Sequence, residues 1–213
     1  MNRFNERCGR RSGCNGGAEH DAPRRAHPGQ LRAGIAAYTP GRLSASERDD
    51  LLLMREEEKI ARDVYMRLYS RWGLRPFGNI AGSEQAHMDA MLSLLRHHGL
   101  PDPVKGMEVG KFAAPEMQSL HDRLLQQGLQ TEVEALRVGL RIEELDIADL
   151  RAAAARTQNP EILAVYADLE RGSRNHLRAF YRWLQRMNAR YEPVHLDREE
   201  FEFIALSQNE RCH

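Results

Sequence analysis

Apolar residues along most of this chain recur at intervals of three and four, a period that predicts helices. Leu53, Ile60, Ala61, Val64 and Leu68 share one face of a first helix, which opens near Ser46 with Asp49 three residues on as an approximate capping box. Gly73 is its natural stop. A second helix spans roughly Phe77 to His98 and ends at Gly99, since Pro101 and Pro103 forbid continuation. Pro115 starts a short helix that closes at Gly128. Thr131, with Glu134 at the reciprocal capping position, opens a third long helix that reaches Arg156 and carries Leu136, Leu140, Ile147 and Leu150 on one stripe. Asn159-Pro160 caps a fourth, with Ile162, Val165, Leu169, His176, Phe180 and Leu184 in line, ending near Asn188. Asp197 begins a last small helix that docks through Phe201 and Ile204. No sustained alternation predicts a strand.

Two long pairs, 46–98 and 131–188, joined by a segment with its own short helix, predict an all-α four-helix bundle with a long crossover. The pairs echo each other, each running from a Glu-bearing helix to one with an inward His, as in a duplicated helical hairpin. Residues 1–43 are rich in Gly, Arg, Asn and Pro without apolar period, and read as a disordered arm. The bundle domain then covers 44–206 and a short tail 207–213.

Net charge is zero, which excludes a global field toward nucleic acid or an anionic membrane. The balance is uneven, because residues 1–45 hold eight arginines against Glu6, Glu19 and Asp21, leaving +5 there and −5 in the body. Cys8, Cys14 and Cys212 all lie in terminal segments and describe no disulfide framework. Cys8 and Cys14 with His20 offer a soft-metal reading, weaker than that of a solvated tail. With no apolar leader before residue 50 and no run long enough for a membrane span, a cytoplasmic protein is expected.

Glu84 and His87 are three residues apart on the second helix, on the face that also carries Ile80, Met91 and Leu94. Buried carboxylates and imidazoles are costly without a partner. Di-iron bundles take one Glu from each of two helices and a Glu-x-x-His from each of the other two. Here the second helix has that motif whole. The first offers Glu56, Glu57 and Glu58: Glu56 faces water, and periodicity puts Glu57 nearer the centre of the apolar face than Glu58. The third offers Glu143 and Glu144, of which Glu143 sits closer to the apolar stripe. The fourth offers His176, but three residues before it stands Ser173. Metal-free readings exist for each: an intrahelical Glu84–His87 pair, a core histidine at 176, or Arg62 and Arg174 neutralising inward carboxylates.

The strings EEEKIARDVY, NIAGSEQAHMDAM, IEELDIADL and GSRNHLRAF resemble the ferritin-like superfamily, and more closely its DUF2202 branch, over roughly residues 48–205. The resemblance implies a ferritin-like bundle and selects Glu58 over Glu57. It makes Glu58, Glu84, His87, Glu143 and His176 metal ligands, with Glu84 bridging, His87 on one ion and His176 on the other. Ser173 stands where a second bridging Glu is expected, so Asp146 or water would complete the shell, and Tyr65 would donate a hydrogen bond beside it. Carboxylates with two imidazoles suit iron (Fe2+/Fe3+), with manganese or zinc as substitutes. The implied function is a non-haem metal-binding protein, iron in a mono- or dinuclear site with dioxygen- or peroxide-linked redox chemistry, a di-iron-type oxidoreductase being one form of it; the alternatives are metal storage without turnover and a metal-free interaction module with its core satisfied by Arg62, Arg174 and Asn175. Ferritin-like relatives often dimerise, which makes a homodimer one expected assembly. His97, His98 and His121 read as helix-end or surface residues. No phosphate loop, Ser/His/Asp pattern or nucleic-acid signature is present.

Overall fold

A computed structural model of the chain describes Ile35 and residues 38–211. The described residues form six helices and no strand: α1 Ala45–Trp72, α2 Arg75–His97, α3 Pro115–Gly128, α4 Glu132–Ala154, α5 Pro160–Arg186 and α6 Arg198–Leu206. Among them, no helix is long and apolar enough to cross a membrane.

Helix α1 starts earlier than the Ser46 reading. The Ser44 Oγ accepts the Glu47 N–H at 3.2 Å, and the Glu47 carboxylate accepts the Ser44 N–H at 2.7 Å. Glu has the extra methylene needed to reach back to the cap, and Asp49 lacks it. Gly73 ends α1 with φ +67°, a left-handed conformation open to glycine at little cost. Thr131 and Asp197 cap α4 and α6 as expected, accepting the N–H of Glu134 and Glu200. Asn159 does not cap α5 with its side chain. Its amide donates instead to Glu47 at 2.8 Å, where Thr157 also donates, so the start of α1 is tied to the α4–α5 turn.

The long helices form a bundle. α1 packs on α2 and α4 on α5, and the hairpins meet through α1 against α4 and α2 against α5. The crossover is pinned to α1 by buried charge. Lys59 donates to Asp63 at 2.5 Å and to the carbonyls of Glu108 and Lys111, and Asp63 also accepts the Gly110 N–H. Arg55 forks onto Asp102 and reaches the Met88 carbonyl. Trp72 donates its indole N–H to the Gly128 carbonyl, anchoring α3. His121, expected on a surface, is buried beside Phe112.

The core divides into two apolar layers. One gathers Tyr65, Phe77, Leu136 and Phe180; the other gathers Leu51, Met91, Leu94 and Leu169. Each long helix changes layer midway, and at or near each change stand buried polar residues: Glu58 on α1, Glu84 with His87 on α2, Glu143 and Asp146 on α4, and Ser173 with His176 on α5. Most of the expected arm, with Cys8, Cys14 and His20, lies outside the described residues, as does Cys212. Of its described part, Ile35 and Leu43 are buried in the second layer.

Candidate metal centre

The band between the layers is built by helical spacing. Glu84 and His87, one turn apart on α2, turn toward the bundle interior together. The Nδ1 of His87 lies 2.8 Å from Glu84 Oε2 and 3.2 Å from Glu58 Oε2 on α1. Across the band, the Nδ1 of His176 on α5 lies 2.8 Å from Glu84 Oε1 and 3.4 Å from Glu143 Oε2 on α4. The imidazoles stack with centroids 5.5 Å apart. Two triads result, Glu58–Glu84–His87 and Glu84–Glu143–His176, each with one donor atom per residue inside a 4.8 Å span. Glu84 belongs to both and gives one oxygen to each.

These short contacts are mostly not aligned hydrogen bonds. Both Glu84 oxygens, Glu143 Oε2 and His176 Nδ1 have no hydrogen-bond partner although fully buried, and only the His87–Glu58 contact has hydrogen-bond geometry. Lone pairs that converge without an N–H pointing at an oxygen suit a cation between them. The arginines that would serve a metal-free core are engaged elsewhere: Arg62 with Asp63 and Gln85, Arg174 with Glu170 and Glu210, while Asn175 donates to the Glu210 carbonyl.

Protonation shows the strain of holding this charge without a cation. Burial pushes the Glu58 carboxyl up to about 7 against the pull of His87, and burial likewise lifts Glu143 to about 7 against His176. Burial opposes the charged form of Glu84, but His176 and His87 outweigh it and hold that carboxyl far below the ordinary range. Burial also opposes charge on the imidazoles, yet Glu84 and Glu143 push His176 up to about 10, and Glu58 and Glu84 hold His87 well above its usual value. A divalent ion binding here would have to displace the protons that these shifts favour. Three carboxylates with two imidazoles fit iron, manganese or zinc.

The remaining predicted residues lie close by. Tyr65, fully buried, donates to Glu143 Oε1 at 2.6 Å. Asp146 is buried with Oδ2 unpartnered, its carboxyl lifted by burial and then by Glu58 and Glu143, but it joins neither triad. Ser173 is buried and donates to the Leu169 carbonyl of its own helix at 3.3 Å. Glu57, the periodicity choice, is buried away from the triads, its carboxyl raised by burial and by Asp149. Glu56 is half-buried, not water-facing, and is raised by burial and by Glu116.

The roles of two residues went unread in the sequence. Gly172 gives His87 its place: a Cβ there would sit 2.6 Å from the ring Nε2. Its signal was a glycine inside a helical pattern, which costs about 1 kcal/mol against alanine and asks for a packing reason. Glu144, beside Glu143, points the other way and accepts from the Tyr191 hydroxyl and the N–H groups of Val194 and Leu196, pinning the segment before α6.

Residues 47–208 match the family described as uncharacterized protein domain DUF2202. The chain is 48% identical over 169 residues to the uncharacterized protein MJ0754 of Methanocaldococcus jannaschii, a match spanning 79% of this chain and 91% of the relative. The crystal structure titled as hypothetical protein MJ0754 from Methanococcus jannaschii superimposes with a TM-score of 0.79 at 46% identity, covering 81% of this chain and 99% of that one. The chain therefore belongs to the DUF2202 family.

Proposed function

We propose that this protein is a ferritin-like, carboxylate-bridged metal protein that holds one or two iron ions between α1, α2, α4 and α5 and works on dioxygen or peroxide in the cytoplasm. The observation that carries this reading is Glu84, whose two unpartnered oxygens each lie 2.8 Å from the Nδ1 of a different histidine. A carboxylate placed so is disposed to bridge. The resemblance of the Glu58, Glu84-x-x-His87 and Glu143 segments to ferritin-like ligand motifs supports the same reading.

In this reading His87 and His176 set the orientation of each ion, while Glu58 and Glu143 give the outer oxygen donors. The Tyr65 hydroxyl holds the Glu143 carboxylate in place from α1. Iron held there would supply one-electron redox chemistry toward the oxidant. The carboxylate side chains at 84 and 143 are fully buried, whereas both imidazole side chains keep 10% exposure. A small oxidant therefore enters past the histidines, along the α2–α5 face. Ser173, bonded to its own helix, presents no carboxylate there.

Elemental analysis of protein purified from iron-supplemented cells tests the reading. Iron at one or two equivalents is expected, and none would favour a metal-free interaction module. Adding ferrous iron and then air to metal-free protein gives a new absorption band if the bound iron turns over with the oxidant. Iron retained without oxidant consumption would mark storage alone.

A further inference from the structure

A second cluster of metal-binding side chains lies at the opposite end of the α2–α5 contact, outside the central band. His97 ends α2, His98 is its C-terminal cap residue, and Glu161 stands in the first turn of α5. One donor atom from each lies within a 4.8 Å span. The Nε2 of His98 is 3.3 Å from Glu161 Oε1, and the two imidazoles meet edge to face at 5.1 Å. The side chains of His98 and Glu161 are 1% and 2% exposed. Nevertheless, among the described residues, both ring nitrogens of His98, the Nε2 of His97 and the Oε1 of Glu161 have no hydrogen-bond partner. Burial holds the His98 ring below its usual pKa against the pull of Glu161 and of the Gly41 main chain, which makes no aligned bond to either nitrogen.

Several buried polar atoms left unpartnered in one small space are costly together, unless a shared partner takes their lone pairs. The charge of the surroundings suits a cation. The C-terminal end of α2 carries the negative end of its dipole, and the opposing N-terminus of α5 is offset by the Glu161 carboxylate. Hydrogen bonding among the three does not account for the arrangement, because the one short His98–Glu161 contact lacks the alignment of an N–H bond.

We propose that His97, His98 and Glu161 form a second, mononuclear site for a zinc-like divalent ion that clamps the end of α2 to the start of α5. Two imidazoles and one carboxylate are a three-ligand zinc set, with water in the fourth position. His87 and His97 are ten residues apart on one helix, about 15 Å at the helical rise, so this site and the central one load independently. The ion ties the two helix ends together. It fastens the bundle end where Gly41 and the buried Leu43 also lie against the helices.

Cobalt and zinc binding to the full chain, stripped of metal, decides the matter. In a Glu84→Ala/His87→Ala background, which removes the shared part of the central band, one equivalent of cobalt is expected to give the visible bands of a tetrahedral nitrogen and oxygen site. Zinc should displace it and raise the melting temperature of that variant. Adding Glu161→Gln or His98→Gln, both close in shape to the native residues, should abolish the bands and the zinc-induced rise. Circular dichroism confirms that each variant is folded, and His97→Ala serves as a third variant should either glutamine substitution unfold the chain. The proposal is overturned if the Glu84→Ala/His87→Ala protein binds no cobalt, or if bands and melting rise survive a folded His98→Gln or Glu161→Gln change. The central site can fail its own iron test without affecting this result.

Discussion

The two hairpins, α1–α2 and α4–α5, bring nearly the same side chains to the middle of the bundle, and differ at two places. Glu58 on α1 matches Glu143 on α4, and His87 on α2 matches His176 on α5. Three residues before each histidine, however, the first hairpin has Glu84 and the second Ser173. Glu84 serves both halves, whereas Ser173 bonds to its own helix. Seven residues after the outer glutamates the halves part again, with Tyr65 following Glu58 and Leu150 following Glu143. Tyr65 crosses over to hold Glu143, and Leu150 has no hydroxyl with which to return the favour to Glu58. The first hairpin therefore supplies the shared carboxylate and braces its partner, so the second half depends on the first more than the reverse.

That dependence sets an order of effects. Glu84→Ala removes the one carboxylate common to both triads and is expected to abolish iron loading altogether, while His176→Ala should remove only one ion. Metal content by mass spectrometry checks both, and a Glu84→Ala protein that still loads one ion would show that the halves are independent. Gly172→Ala comes next. The added methyl drives the His87 ring from its place, and because that ring is wedged between Glu58 and Glu84 it leaves both. Iron affinity of the first half should fall by about 10- to 100-fold, the range typical for displaced supporting groups, with helical circular dichroism kept. Ser173→Glu works in the opposite sense. It restores the missing carboxylate and should tighten the second ion, at about 1–3 kcal/mol of folding stability for overpacking a buried position. Unchanged metal stoichiometry and affinity would mean that another group, Asp146 foremost, already fills that role.

Much of this was legible in the chain itself, for identifiable reasons. Stripes such as Leu136, Leu140, Ile147 and Leu150 announce a helix because burial of one face has a period, and Thr131 and Asp197 announce its start because free N–H groups need an acceptor. Glu58 was harder, since apolar period says only which face is inward. Glu57 is inward too, toward Asp149, so periodicity could not choose between two buried carboxylates on adjacent residues. Ligand motif resemblance chose Glu58. The pairing of His98 with Glu161 was not legible, because it joins the end of one helix to the beginning of another 63 positions on, and such contacts depend on tertiary packing alone. The same holds for Arg62 and Arg174, whose charges looked available to the core until their partners were seen.

The smallest expected effect gives the sharpest reading of the asymmetry. Tyr65→Phe keeps the ring, which packs with Phe77 and Phe180 at centroid distances of 5.8 and 5.2 Å, and deletes only the hydroxyl. Glu143 then loses its one donor from α1 and is left to the pull of His176. A charge-assisted bond of this kind contributes about 1.5–3 kcal/mol. Part of that is recovered when Glu143 shifts toward the ion, so about a tenfold weakening of the second ion is expected, with the first unchanged. A metal titration that resolves two steps reads this directly. Equal weakening of both steps would show that Tyr65 acts through the shared apolar layer and not through Glu143, and the argument that one hairpin braces the other would then lose its physical basis.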